Sequence, residues 1–349
     1  METIWFCLVT VMIAMYVLLD GFDLGAGAIH FLVAQTREER RQVIASIGPV
    51  WDGNEVWLLA AGGTLYFAFP ALYASAFSGF YLPLMVVLWL LILRGTAIEF
   101  RNHIRSDVWT PLWDFVFFAA SALLAIFYGA ALANVVRGVP LDASGYFFEP
   151  LWTNFQLGDR TGILDWYTVL VGVQALLVLM MHGGLWLQYK TGESVSKRAA
   201  NVTNIAWWGV LTMTALVTFI TFRVQPQVAE NFRTWPIGYI LPLLAVAGLA
   251  GVQIELRRRQ QLNAFLSSCA YLLGMLTSVV FGVYPMVLPA RDPSFSLTVH
   301  GAKAGAYGLK VGLVWWVIGM ALATTYFVHL YRSFAGKVVA QTKDPIPGD

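Results

Sequence analysis

Residues 48–57 read Gly-Pro-Val-Trp-Asp-Gly-Asn-Glu-Val-Trp, and they open onto 56–69, a stretch without a single charge. Two carboxylates and an amide, Asp52, Asn54 and Glu55, thus stand at the mouth of an apolar run. An ionisable group bordering or entering a bilayer is expensive, so it marks an ion or proton path or a buried partner. The same pattern occurs earlier, where Asp20 and Asp23 interrupt an apolar run from Ile4 to Ala34. Both acidic pairs are spaced i, i+3, and on a helix each pair shares a face.

Composition names the solvent. The 349 residues are 58% hydrophobic and only 12% charged, with mean hydropathy +0.66, whereas a soluble domain is about a quarter charged. The chain is expected to be a polytopic membrane protein, a single integral membrane domain over 1–349. A net charge of +2 and basic residues confined to short loops argue against nucleic acid as a partner. Cys7 and Cys269 lie in apolar segments and read as buried thiols. No disulfide framework or Cys/His metal motif is present.

A spanning helix needs about 20 largely apolar residues. Nine such runs are predicted, near 4–33, 46–69, 76–97, 112–135, 163–188, 202–222, 237–256, 264–287 and 308–331. The first is not a cleavable signal, since no Lys or Arg precedes Arg37 and two aspartates sit in its second half. Of the 22 Lys and Arg, fourteen follow the odd-numbered runs and six the even-numbered ones. The positive-inside rule then places the N-terminus outside and the C-terminus in the cytoplasm. The longest loop, 136–162, falls on the outer side, and Trp109, Trp113, Trp152, Trp166, Trp186, Trp235 and Trp315 near run ends read as interfacial anchors. Gly25, Gly27, Gly62 and Gly63 read as sites of close helix approach rather than a phosphate loop.

Several blocks, taken in order, resemble subunit II of the cytochrome bd family of quinol oxidases. They are Asp-Gly-Phe-Asp-Leu-Gly-Ala-Gly (20–27), Gly-Pro-Val-Trp-Asp-Gly-Asn-Glu-Val-Trp-Leu (48–58), Phe-Pro-Ala-Leu-Tyr-Ala-Ser-Ala-Phe-Ser-Gly-Phe-Tyr (69–81) and Arg-Gly-Thr-Ala-Ile-Glu-Phe-Arg (94–101). The second half is similar mainly in helix count and spacing. The resemblance implies an all-α fold of nine transmembrane helices, two four-helix bundles plus one more, in the bacterial cytoplasmic (inner) membrane. It implies a subunit of a terminal oxidase that oxidises quinol and reduces dioxygen to water. Haems b and d and the quinol-oxidising loop would belong to the partner, subunit I; a small single-span accessory subunit and a structural quinone stay open.

The resemblance also implies that subunit II lines a proton route from the cytoplasm. Carried onto this chain, the candidates are Asp52 and either Asp20 or Asp23, with Asn54 and Glu55 beside them. A structural role is the alternative, since an aspartate at a helix break also caps or accepts backbone hydrogen bonds. Arg94 is a candidate for pairing with a haem propionate of subunit I or for snorkelling to headgroups, and Trp57 for an interface contact. A haem needs an axial ligand inside the bundle, and of the five histidines only His182 lies well within a run, where it is otherwise a hydrogen-bonded core residue. A secondary transporter or channel would use the same intramembrane carboxylates, and an assembly subunit would use none of them in chemistry. For the topology, a thiol label added from outside should reach 137–162 and not 257–259. A reporter fused after Asp349 that is active only outside the cell would reverse the assignment.

Overall fold

Helix boundaries follow the polar punctuation of the chain. The structure, a computed structural model, describes residues 1–104, 106–158 and 161–338. Helix α1 (Glu2–Ala28) ends at Ile29 and gives way to the short α2 (His30–Val33), so the run expected over 4–33 is interrupted. Thr36 then starts α3 (Arg37–Ile47) with a reciprocal cap, its hydroxyl accepting from the Glu39 amide while the Glu39 carboxylate accepts from the Thr36 amide, each at 3.2 Å. Gly48 and Pro49 separate α3 from α4 (Trp51–Ala68). Pro70 opens α5 (Pro70–Gly79), and α6 (Tyr81–Phe100) follows after a break at Phe80, which divides the expected 76–97 run. Long helices α7 (Trp109–Arg137), α8 (Trp166–Lys190) and α9 (Glu193–Val224) come next. After them lie the short α10 (Pro226–Thr234), then α11 (Ile240–Arg257), α12 (Gln261–Val283) and α13 (Ala306–Ser333). Strands β1 (Met286–Leu288) and β2 (Leu297–Thr298) form a small antiparallel pair between α12 and α13.

Among the described residues, eight helical segments are long and apolar enough to cross a bilayer: α1, α6, α7, α8, α9, Pro236–Arg257 with α11, α12 and α13. Helix α4 is not among them, because Asp52, Asn54 and Glu55 make its first turns too polar. The chain is therefore an all-α polytopic membrane protein.

Helix α1 is the axis of the assembly and packs against α4, α7, α8 and α12. It meets α8 at backbone distance. A Cβ added to Gly25 would lie 1.9 Å from the Leu179 carbonyl oxygen, and one on Gly183 2.3 Å from the Ala26 nitrogen. Small residues at a crossing allow the dispersion contacts that hold helices together in lipid, where there is little hydrophobic drive between them. Gly62 and Gly63 differ from the expectation, because a Cβ at either position would meet nothing within 4 Å. Beside the crossing, Phe22 stacks on Trp186 at 4.1 Å, and Trp186 donates to the Ser46 carbonyl at 3.3 Å, so this tryptophan is core rather than an interfacial anchor. Cys7 is exposed on α1, against the expectation of a buried thiol.

Helix α13 lies on the flank, with Leu309 its one buried residue among those described. Side chains hold it: the Trp5 indole donates to the Leu309 carbonyl at 3.1 Å, and Phe327 packs on Trp57 at 5.5 Å. Replacing Gly25 by Val should abolish assembly of the membrane-inserted chain, since overpacking of about 1–3 kcal/mol or more falls on rigid backbone. Gly62→Ala should be near neutral. Thermal melting and purified yield would read both, and a stable Gly25→Val protein would contradict the crossing.

Candidate functional site

The carboxylates met first in the sequence come together around one guanidinium. Arg94, from α6, is fully buried and places Nη2 2.6 Å from Asp20 Oδ1 of α1 and 3.2 Å from Glu55 Oε2 of α4. The Asp20 contact is close but poorly aligned, so both Asp20 oxygens and Arg94 Nε and Nη1 lack a directed hydrogen-bond partner. One turn along α1, Asp23 is also fully buried and accepts from Asn54 Nδ2 at 2.8 Å. Asn54 Oδ1 in turn accepts from the Tyr331 hydroxyl of α13 at 2.8 Å. The i, i+3 spacing on α1 and the polar first turns of α4 thus converge on one interior face, to which α6 brings the cation.

Not every candidate joins. Asp52 is exposed on α4, and Trp57 is buried with its indole nitrogen unpartnered. Arg94 is held inside the chain by Asp20 and Glu55. His182 has both ring nitrogens engaged, Nδ1 with Ser268 Oγ at 2.7 Å and Nε2 with the Leu18 carbonyl at 2.9 Å. Phe265 stacks on its ring at 4.8 Å. That is a core histidine, and its surroundings do not fit an iron ligand.

Two further charged clusters escaped the sequence reading. At one end, Asp114 of α7 is fully buried and contacts His30 Nε2 at 3.1 Å, Arg101 Nε at 2.5 Å and Arg40 Nη1 at 3.4 Å. Its signal was available: Asp114 is the only charge between Val108 and Val136. At the other end, Arg137 holds Glu149 at 2.9 Å and pairs with Asp165, while Arg291 also pairs with Glu149, fastening the 138–165 loop. Burial pushes the Glu149 carboxyl up, and the Arg137 and Arg291 guanidiniums pull it back. Tyr331, and the 2.7 Å bond between the Tyr16 and Tyr128 hydroxyls, carried no distinguishing sequence signal.

A cavity of about 800 Å³ lies between α1, α7, α8, α9, α10, α11 and α12. Its wall is mostly apolar, with Gln174, Tyr271, Tyr167 and Arg233 among the few polar groups. The Tyr271 hydroxyl bonds Thr214 Oγ1 at 2.6 Å and that of Tyr167 bonds Thr221 Oγ1 at 2.9 Å.

Residues 1–334 match the family described as cytochrome bd terminal oxidase subunit II. The chain belongs to that family. It is 31% identical to the probable cytochrome oxidase subunit 2 of Haemophilus influenzae, over 98% of this chain and 96% of the relative. It is 29% identical to the cytochrome bd ubiquinol oxidase subunit 2 of Bacillus subtilis, over 89% of each. With the cytochrome bd-I ubiquinol oxidase subunit 2 of Escherichia coli K12 it shares 28%, over 97% and 95%. The fold is similar to a chain of the bd oxidase from Geobacillus thermodenitrificans, with TM-score 0.75 at 17% identity, covering 95% of this chain and 98% of that one. As a bd subunit II the chain is part of an oxidoreductase.

Two measurements probe these charges. Arg94→Leu should destabilise the protein by about 3–5 kcal/mol, because it strands buried carboxylates, and adding Asp20→Leu should restore part of the loss. Additive losses in that cycle would deny the pair. On α3, outside the spans, the Arg198 guanidinium at 2.5 Å, with the Gln35 and Thr36 amides, holds the Glu39 carboxyl down to about 2. Its stabilisation is present above the ordinary carboxylate value of 4.5 and is lost as pH falls toward about 2. Exposure limits it to about 1 kcal/mol. The melting difference between wild type and Glu39→Gln should therefore narrow on acidification, and a difference that widens would refute the assignment.

Proposed function

We propose that this chain is the haem-free subunit of a complex that oxidises quinol and reduces dioxygen to water, and that its buried carboxyls form part of a proton route. Haems b and d are assigned to the partner, subunit I, which this chain supports. In this reading α4 is the ninth span of a single membrane domain in the bacterial inner membrane, built as two four-helix bundles plus one helix. The N-terminus lies outside and the C-terminus in the cytoplasm, in keeping with the Lys and Arg distribution.

One observation carries the proton reading: three carboxyls, Asp20, Asp23 and Glu55, are gathered in the interior around a single guanidinium. One cation balances one carboxylate, and bare excess charge in a low-dielectric interior is strongly disfavoured. A set so composed is suited to holding and passing protons. Glu55, with 23% of its side chain exposed, gives the set an outlet on the α4 surface toward a partner subunit. Asn54 has a positioning role, since a doubly bonded amide does not relay a proton; it orients Asp23 and leaves the transfer to water. Asp52, exposed on the same helix, is a further station at the surface. The large cavity, apolar with a few hydroxyls and Arg233 on its wall, suits a structural quinone.

Asp23→Asn should leave assembly and haem spectra intact yet slow quinol-driven oxygen consumption, on the order of 100-fold where no parallel route exists. Asp52→Asn should slow it less. Full oxygen consumption by assembled Asp23→Asn enzyme from about pH 6 to 9 would remove Asp23 from the route.

A further inference from the structure

A second cavity, of about 400 Å³, opens at the basic end of the bundle, beneath the point where α13 leaves it. Its floor is α1, from Met15 to Phe22, and its walls are the first turns of α12 and the end of α13. From Leu262 to Cys269 it runs seven residues along α12, ~10 Å at 1.5 Å per residue. That depth lies inside one leaflet of a ~30 Å hydrocarbon core. The lining is overwhelmingly apolar.

The exception is Lys190, the last residue of α8. Its side chain is buried, with 6% of the residue exposed, and the ammonium sits 5.5 Å over the Trp186 ring and donates to the Phe334 carbonyl at 2.5 Å. Among the described residues no carboxylate lies within ion-pair distance of it. An ammonium has three donors, and here one carbonyl takes one of them. Every other buried cation of the chain described above, Arg94, Arg101 and Arg137, has a carboxylate partner. The chain crosses over this ammonium after α13: the Val338 amide donates to the Lys190 carbonyl at 2.7 Å and the Gln42 amide donates to the Val338 carbonyl at 3.1 Å.

We propose that this cavity is a binding site for one anionic phospholipid, whose acyl chain fills the apolar space between α1, α12 and α13 and whose phosphate pairs with the Lys190 ammonium, which no described carboxylate neutralises. The site shares no lining residue with the larger cavity, and it meets the carboxyl cluster only at Tyr331 and Leu19, which bond Asn54 from the cavity wall. Basic pockets between transmembrane helices take anionic headgroups by the same chemistry. The bound chain would also give α13, which buries almost nothing of its own, a surface to pack on.

The test uses the complete detergent-solubilised complex, stripped of lipid and offered palmitoyl-oleoyl phosphatidylglycerol or phosphatidylcholine, with lipid retained per complex read by mass spectrometry. The wild type should retain about one phosphatidylglycerol in preference to phosphatidylcholine. Lys190→Met should weaken retention about tenfold or more, the scale of one hydrogen bond to a charged group. Ala45→Trp, which fills the cavity from the exposed side of α3 and leaves Lys190 in place, should abolish it, and it carries the test if Lys190→Met fails to assemble. Wild-type retention in either variant, equal retention of phosphatidylcholine, or a quinone as the retained molecule would overturn the proposal.

Discussion

The Arg94 guanidinium decides how three helices meet. It reaches from α6 to Asp20 on α1 and Glu55 on α4, none of which would be tolerated in a hydrocarbon interior alone. Burying an ion pair gives little net stability against an apolar alternative, but removing one member is costly. The pair therefore acts as a constraint on arrangement: α4, whose first turns are too polar to face lipid, turns its Asn54 and Glu55 onto α1 and α6.

The fold was legible wherever a long apolar run ended in a charge, a proline or a glycine, because the cost of exposing backbone and charge to lipid acts locally. Where the reading differed, the decision was tertiary. Ile29 and Phe80 interrupt runs that look continuous, since only His30 beside the first break departs from the apolar pattern and no proline or charge marks the second. Gly62 and Gly63 look like Gly25 and Gly27 in sequence, yet only the latter meet another helix at close range. Trp186 stands near a helix end, as an anchor would, but α3 and α12 cover it.

The site was legible in part for the same reason. Asp20, Asp23, Asn54 and Glu55 were singled out by the expense of polar groups in an apolar run, and the structure gathers them. The identity of Arg94 as their common cation was not, because pairing across 74 residues leaves no periodic trace. Asp52 shares the i, i+3 relation with Glu55 but sits far enough around α4 to face outward. Tyr331 was invisible: a tyrosine near a helix end is ordinary until its hydroxyl is seen on Asn54.

Three buried acidic clusters can be told apart by their supply of cations. Asp114 alone faces His30, Arg101 and Arg40, and Glu149 is held by Arg137 and Arg291. In both, each carboxylate oxygen faces a cation, and clusters so matched lock elements in place: α2, α3 and α7 at one end, Glu149 and the start of α8 against Arg137 at the other. Asp20, Asp23 and Glu55 share Arg94 among them and leave several of their own oxygens without a donor. Unmet hydrogen-bonding capacity in an interior is expensive and is filled by water or protons where it persists. The same physical rule that makes the first two clusters rigid leaves the third with acceptors that its own cation does not satisfy, which is the feature the proposed proton route rests on.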